Sequence, residues 1–259
     1  SKSIGDKKMA EAQEQKFPSE VIDLPSKGLV YSKDSPLHSG KLEIKYMTAK
    51  EEDILTSQNL IKRGIVIDKL LDSLIVTPGV KADDLIIGDK NAIMVAIRIL
   101  AYGPEYTVEI TNPLTDERTN CTFNLADCPF KQLPEDVNYS SNEFNFELPA
   151  SKIPITFKLL TGVDEAKIDS ELKAIKKTGS SAEITTRLRY LITSVNGDSD
   201  RTVINTFINN MLSRDSLSLR EEIIRISPDI ELIQEVDIGG DLVEVSIPLT
   251  AQFFWPSTV

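Results

Sequence analysis

The stretch Ile93-Met94-Val95-Ala96-Ile97-Arg98-Ile99-Leu100-Ala101-Tyr102-Gly103-Pro104-Glu105-Tyr106-Thr107-Val108-Glu109-Ile110 changes its period in the middle. Before Gly103, the residues Ile93, Ala96, Ile97 and Leu100 recur at helical spacing, which predicts a helix over 89–102. Gly103-Pro104 ends it, because glycine accepts a left-handed terminal conformation and proline has no amide to continue the ladder. Beyond that break, Tyr106, Val108 and Ile110 alternate with polar residues, the pattern of a half-buried strand. Helices come first and strands follow as a block. Nothing alternates strand with helix in the βαβ manner, so the fold class is α+β.

Upstream, Leu42, Ile44 and Tyr46 alternate with Lys41, Glu43 and Lys45, a leading strand. Thr48-Ala49-Lys50-Glu51 has the spacing of a capping box and predicts a helix over about 49–57. A second helix is expected over about 63–76, with Leu70, Leu71, Leu74 and Ile75 on its face and Pro78-Gly79 as its stop. With the helix at 89–102 these form a small bundle. Residues 1–16 read as a polar tail, and 17–105 as an N-terminal helical domain with a docking loop at Leu24-Pro25-Ser26-Lys27-Gly28-Leu29-Val30-Tyr31.

Downstream, 106–160 reads as a central, small antiparallel sheet. A hairpin turns at Asn112–Glu117, and alternation resumes at Phe144, Phe146 and Leu148 and at Ile153, Ile155, Phe157 and Leu159. Residues 161–259 read as a second helical block with a closing hairpin. Thr161 and Asp164 open a helix to about Lys177. Ser180 and Glu183 have capping-box spacing before Ile184, Leu188, Leu191 and Ile192. Asp198 or Ser199 caps a helix bearing Val203, Ile204, Phe207, Ile208 and Met211, and Ser218 with Glu221 caps a short one ending at Pro228. Ile230–Ile238 and Leu242–Phe253 pair across Gly239-Gly240, the left-handed turn such hairpins need.

The 259 residues carry 29 Lys and Arg against 40 Asp and Glu, a net charge of −11. Such a surface repels nucleic acid and anionic membrane, so neither is an expected partner. No apolar stretch approaches the roughly 18 residues of a membrane span, and the polar N-terminus lacks a signal-peptide core. Two cysteines, Cys121 and Cys128, make no disulfide framework and fit a reducing compartment. Their spacing of seven is not that of a zinc knuckle. His38 is the single histidine, in a turn-forming loop with no nucleophile elbow in the chain. Neither a Walker A motif nor a dinucleotide fingerprint occurs, and Asp83-Asp84 and Asp116-Glu117 lack the spacing of a calcium loop. The expectation is a binding or assembly protein without catalysis, cofactor or metal.

The ending Phe253-Phe254-Trp255-Pro256 holds the single tryptophan. Three aromatics bare in water would form a patch that soluble monomers rarely tolerate. The end therefore tucks into its own domain or docks on another protein, and the residues leave both readings open.

At Leu24-Pro25-Ser26-Lys27-Gly28-Leu29-Val30-Tyr31, and again at Lys45-Tyr46-Met47-Thr48-Ala49-Lys50-Glu51-Glu52-Asp53-Ile54-Leu55, the chain resembles the baseplate hub and hub-assembly proteins of T-even-type contractile-tailed bacteriophages. Ile67-Asp68-Lys69-Leu70-Leu71, Gly88-Asp89-Lys90-Asn91-Ala92-Ile93-Met94, Leu100-Ala101-Tyr102-Gly103 and the aromatic ending extend the match. It is strongest over about 20–106 and at the extreme C-terminus, and weak over 161–228. The resemblance implies a component of the virion tail baseplate hub, or a factor that assembles the hub in the host cytoplasm. Partners would be other phage tail and baseplate proteins, with self-association open. The candidate docking residues are Leu24, Pro25, Leu29, Val30, Tyr31, Phe253, Phe254, Trp255 and Pro256. The resemblance also implies zinc knuckles in the hairpins of relatives. Here the tips, Asn112–Thr115 and Asp237–Gly240, carry no cysteine. The alternatives are a chaperone for another tail protein such as the tape measure, or a carboxylate-only hydrolase with two acids about 5–9.5 Å apart.

Overall fold

The computed structural model describes residues 18–255, so the polar tail 1–16 and Pro256 lie outside it. Strand β1 (Ser19–Asp23) pairs antiparallel with β2 (Lys41–Lys45), from Ser19 opposite Lys45 to Asp23 opposite Lys41. The alternation of β2 sends Leu42 and Ile44 inward, both fully buried. Helix α1 (Ala49–Leu55) follows, with Glu51 reaching back to the Thr48 amide at 2.8 Å, as its spacing predicts.

The second helix is later and shorter than expected. Residues 58–62 form a separate turn, α2 (Gln58–Lys62), and α3 runs over Val66–Leu74. Gly64 between them takes φ +69°, a left-handed conformation that breaks the helix. Helix α3 stops at Leu74 because Ile75 bridges Ile44 and the Val76 amide donates to the Glu43 carbonyl at 2.9 Å. Helix α4 (Ile87–Tyr102) is apolar nearly all round and runs through the interior, burying Ile93, Met94, Val95 and Ile97.

The strands that follow divide between two sheets. β3 (Glu105–Thr111) and β4 (Arg118–Asn124) form the expected hairpin. β5 (Phe144–Glu147), β6 (Pro154–Phe157) and β7 (Ile192–Val195) form another antiparallel sheet, in that order. β7 includes Ile192, expected on a helix. Helix α5 (Gly162–Lys176) opens with the predicted Thr161–Asp164 box. Helix α6 (Glu183–Leu191) starts too late for Ser180 to cap it, and Ala182 stands at its N-cap. Helix α7 (Arg201–Asn209) is capped by Asp200, not by Asp198 or Ser199; Asp200 accepts from the amides of Thr202 and Val203. Helix α8 (Ser213–Ile226) begins five residues before Ser218, which lies inside it.

The closing hairpin pairs β8 (Ile233–Ile238) with β9 (Asp241–Ser246) across Gly239 and Gly240, both at positive φ. β9 ends at Ser246, earlier than the Phe253 the alternation predicts. After Pro248, Ala251–Phe254 make a 3-10 turn that drives Phe253 and Phe254 fully inside. Phe253 meets Tyr106 edge-on at 5.0 Å and Phe254 at 5.2 Å.

Two apolar cores result, and they do not follow chain order. The first joins residues 24–128 to Ile230, Ile247, Phe253 and Phe254 near the chain's other end. The second is built from Phe144, Leu148, Phe157, Ile192, Ile204 and Leu219, with Val30 and Ile86 reaching in from the N-terminal part. Segments 106–160 and 161–259 each contribute to both cores. Phe253→Ala should lower the unfolding free energy in urea titration by about 3–5 kcal/mol. Trp255→Ala, at a residue 45% exposed, should cost no more than about 1 kcal/mol.

Candidate functional site

Six of the nine candidate docking residues fall inside or against the cores, and a seventh lies outside the described residues. Leu24 and Val30 are buried, in the first and second core respectively, and Pro25 is buried with them. Tyr31 is half-buried between the two cores, and Phe253 and Phe254 are interior. Pro256 lies outside the described residues. Leu29, 40% exposed, and Trp255 keep large apolar surface in water. The aromatic ending thus packs mainly on its own fold, because the 3-10 turn rotates both phenylalanines inward.

The segment 24–31 is a fastening between the two cores. Ser26 donates to Asp89 through its amide (3.0 Å) and its hydroxyl (2.6 Å). The Tyr31 hydroxyl donates to Asp89 Oδ2 at 2.6 Å and accepts from the Ile86 amide at 3.1 Å. The Gly28 amide donates to Ser26 Oγ at 3.1 Å. Gly28, at φ +78°, lies so close to the 37–40 loop that a Cβ there would meet the His38 carbonyl oxygen at 2.4 Å. His38 Nδ1 donates to the Tyr31 carbonyl at 3.0 Å, so the single histidine serves this loop. Burial pushes the Asp89 carboxyl above the usual range, and the hydrogen bonds from Ser26 and Tyr31 only partly oppose it. Burial, then the Asp89 charge, pushes the Tyr31 phenol well up.

The Gly88-Asp89-Lys90-Asn91 motif, read from sequence as a helix start, extends the same joint. A Cβ on Gly88 would come within 1.7 Å of the Pro228 carbonyl oxygen, so only glycine lets α4 lie against that backbone. Lys90 pairs with Asp68 at 2.5 Å, and Asn91 donates to Asp229 at 3.3 Å. A Cβ on Gly162, at the start of α5, would meet Asp83 Cα at 2.6 Å, while the Gly162 amide donates to the Leu85 carbonyl. Sequence reasoning missed Asp89 as a site residue. Its signal is an acid at the head of the helical stripe Ala92, Ile93, Ala96 and Ile97.

The other buried acids have structural work. Glu51 accepts from Thr48 and Ser73 (2.9 Å) and lies 3.4 Å from the Lys45 ammonium. Burial would raise its carboxyl, and these donors overcome it to hold the group at about 2. Asp164 caps α5 and pairs with Lys158 at 3.0 Å. Asp215 accepts from the amides of Ala150 (2.7 Å) and Ser151 (3.1 Å). Among the described residues, no group of three or more His, Cys, Asp or Glu side chains converges as a metal site would require. The cysteine-free hairpin tips close by hydrogen bonds: the Leu114 amide donates to Asn112 Oδ1 and the Gly240 amide to Asp237 Oδ1, both at 2.8 Å.

A cleft of about 580 Å³ opens where the cores meet, between the start of α4 and the end of α8. Its wall is apolar, with Ile86, Leu159, Leu160, Leu191 and Ile223. Arg187 and Glu165 make a two-pronged ion pair at its edge, at 2.8 and 3.1 Å. Ile224 also lines it and is 68% exposed, and Lys131 donates to the Ile224 carbonyl. Phe130, the neighbour of Lys131, is exposed as well. This geometry can hold an apolar side chain, and the Ser227 hydroxyl in its lining donates to the Ile223 carbonyl.

A family model described as T4 bacteriophage base plate protein matches residues 23–254. Comparison with curated proteins and with solved structures finds no match. The matched span begins at the Leu24 fastening and ends on Phe254, so it takes in both cores.

Two changes test the joint. Gly88→Ala should destabilise the protein by roughly 3 kcal/mol, the upper end of overpacking, read by urea titration. Glu51, depressed in the folded state, contributes stability that is present above its ordinary value of 4.5 and lost as pH falls toward 2. Glu51→Gln should therefore flatten the acid limb of a Tm-against-pH curve between those values.

Proposed function

The chain belongs to the T4 bacteriophage base plate protein family, and from that premise we propose that it works in the baseplate hub, as a component or as a factor that assembles it. Its partners are other phage tail proteins, and it acts by protein–protein contact without catalysis. The observation that carries this reading is the family match across 23–254, both cores included. The chemistry of the interior agrees with it. Among the described residues each buried carboxylate is taken up by donors of the fold, and the cleft of about 580 Å³ has an apolar wall suited to a side chain of a neighbour.

The contact surface we assign comprises the exposed Leu29 and Trp255 of the expected docking set, together with Ile224 and Phe130 beside the cleft. Anchors of an interface are large apolar groups that become fully dry on docking. The acidic surface, at net −11, keeps free subunits apart before assembly.

Mass spectrometry of purified virions separates the two roles: presence at stoichiometric amount marks a hub component, and absence marks an assembly factor. Complete baseplates in a host that lacks the chain would sink both. Ile224→Glu, on an exposed position, should change stability by no more than about 0.5 kcal/mol. The same change should sharply reduce baseplate formation when supplied in place of the native chain.

A further inference from the structure

Helix α4 carries a second buried charge near its C-terminal end. Arg98 is 6% exposed, and its Nε and Nη1 are buried with no hydrogen-bond acceptor. The guanidinium lies 4.9 Å from the centre of the Tyr102 ring and 5.7 Å from that of Tyr106. Tyr106 stacks edge-on with Phe253, which places this cation next to the C-terminal aromatic turn. Among the described residues no carboxylate pairs with Arg98. Glu52, close by, accepts instead from the Tyr102 hydroxyl at 3.2 Å. Burial pushes the guanidinium's pKa down, and only the two tyrosines oppose it.

Such an arrangement is incomplete. A buried donor without an acceptor is costly, and more so on a charged group. The rings return only part of that through cation–π attraction. A carboxylate completes the site, since the planar guanidinium fork takes one through two parallel N–H···O bonds. The chain has 40 acidic residues against 29 basic ones and directs none of the described acids here. An aromatic surround favours an occupant that brings its own apolar cover and excludes water. A free anion brings none, and the negative surface weakens its binding, so a small carboxylate fills the site only at high concentration.

We propose that Arg98, framed by Tyr102 and Tyr106, is the receptor for a carboxylate of a docking partner, an Asp or Glu side chain of a neighbouring baseplate protein. This rests on the hub reading given above. Docking neutralises the cation through the guanidinium edge, so the contact is gained only in the assembled state. Among the described residues this charge has no partner, and the complex supplies one.

The test uses the full chain with sodium formate as a carboxylate probe, against sodium chloride at equal ionic strength. Formate at about ten times its Kd should raise the wild-type Tm by roughly 3 °C. Arg98→Met should lose that response. In chloride it should melt at the same temperature as wild type or higher, because a buried unpaired charge has been replaced by an apolar chain of similar volume. Supplied in place of the native chain, Arg98→Met should reduce assembled baseplates tenfold or more, about the effect of losing one side of a buried charge pair. Arg98→Lys, which keeps charge without the fork, should fall between. A formate response equal in both proteins, or a large loss of Tm for Arg98→Met in chloride, overturns the receptor and makes Arg98 a packing residue. Normal baseplates with Arg98→Met overturn the partner contact. If baseplates form without the chain at all, the hub reading fails and the partner with it. The formate response then still decides whether Arg98 receives a carboxylate.

Discussion

Asp89 is a carboxylate fully removed from water, and the joint between the two cores is organised around it. Burying an ionised carboxylate without compensation costs several kcal/mol. Three donors offset this cost, and all three come from Ser26 and Tyr31, more than fifty residues earlier in the chain. The bonds run as a chain: Gly28 amide to Ser26 hydroxyl to Asp89, and Ile86 amide to Tyr31 hydroxyl to Asp89. Hydrogen bonds linked in this way polarise and strengthen one another. Ser26 lies between Leu24, a member of the first core, and Val30, a member of the second. The carboxylate therefore fixes how the leading loop crosses from one core to the other.

Around that node the backbone approaches itself where side chains would forbid it. Gly88 admits the Pro228 carbonyl, and Gly162 admits Asp83. Both sit in the first turn of a helix, where a bare backbone is least costly to the ladder. The consequence is topological. Residues 228–231, after α8, return the chain to the first core beside α4, and the closing hairpin then packs beside β4. Phe253 and Phe254 complete a core begun at Leu24, so residues far apart in sequence share one apolar interior. Contacts of such high sequence separation form late and slowly, because loop closure precedes any gain from packing.

The α+β class, the closing hairpin, the capped starts of α1 and α5, and the interior helix at 89–102 were legible from periodicity and capping spacing alone. Other features were not, for reasons local to particular residues. Gly64 split a helix whose apolar spacing looks continuous. The Ser180 box failed because α6 starts at Glu183, and Ser218 lost its capping role when α8 began at Ser213. Ile192 satisfies a helical stripe equally well, and only pairing of β7 with β6 makes it a strand. The loop at 24–31 was legible only in part, and it leaves Leu29 alone of its large apolar residues well exposed. Leu24, Val30 and Tyr31 anchor it to the cores, and its Ser26 and Gly28 serve Asp89 and close packing. Pattern shows that such a segment is special, but not whether its partner is another protein or the rest of its own chain.

Helix α4 carries two buried charges of opposite sign, and the contrast between them is informative. Asp89 stands in its first turn, where the helix dipole favours an anion, whereas Arg98 lies before the last turn and gains little from it. The anion is given three donors from within the chain, and the cation two tyrosine rings and, among the described residues, no acceptor. This chain therefore can saturate a buried charge, and does so also at Glu51, Asp164 and Asp215. An unsaturated one is out of keeping with that pattern. In a free-standing monomer the orphan donors of Arg98 would be a defect that many single substitutions could relieve. In a subunit built to be covered by a neighbour, an unpaired cation on a fixed helix discriminates among surfaces, since only a partner with an acid in register closes it.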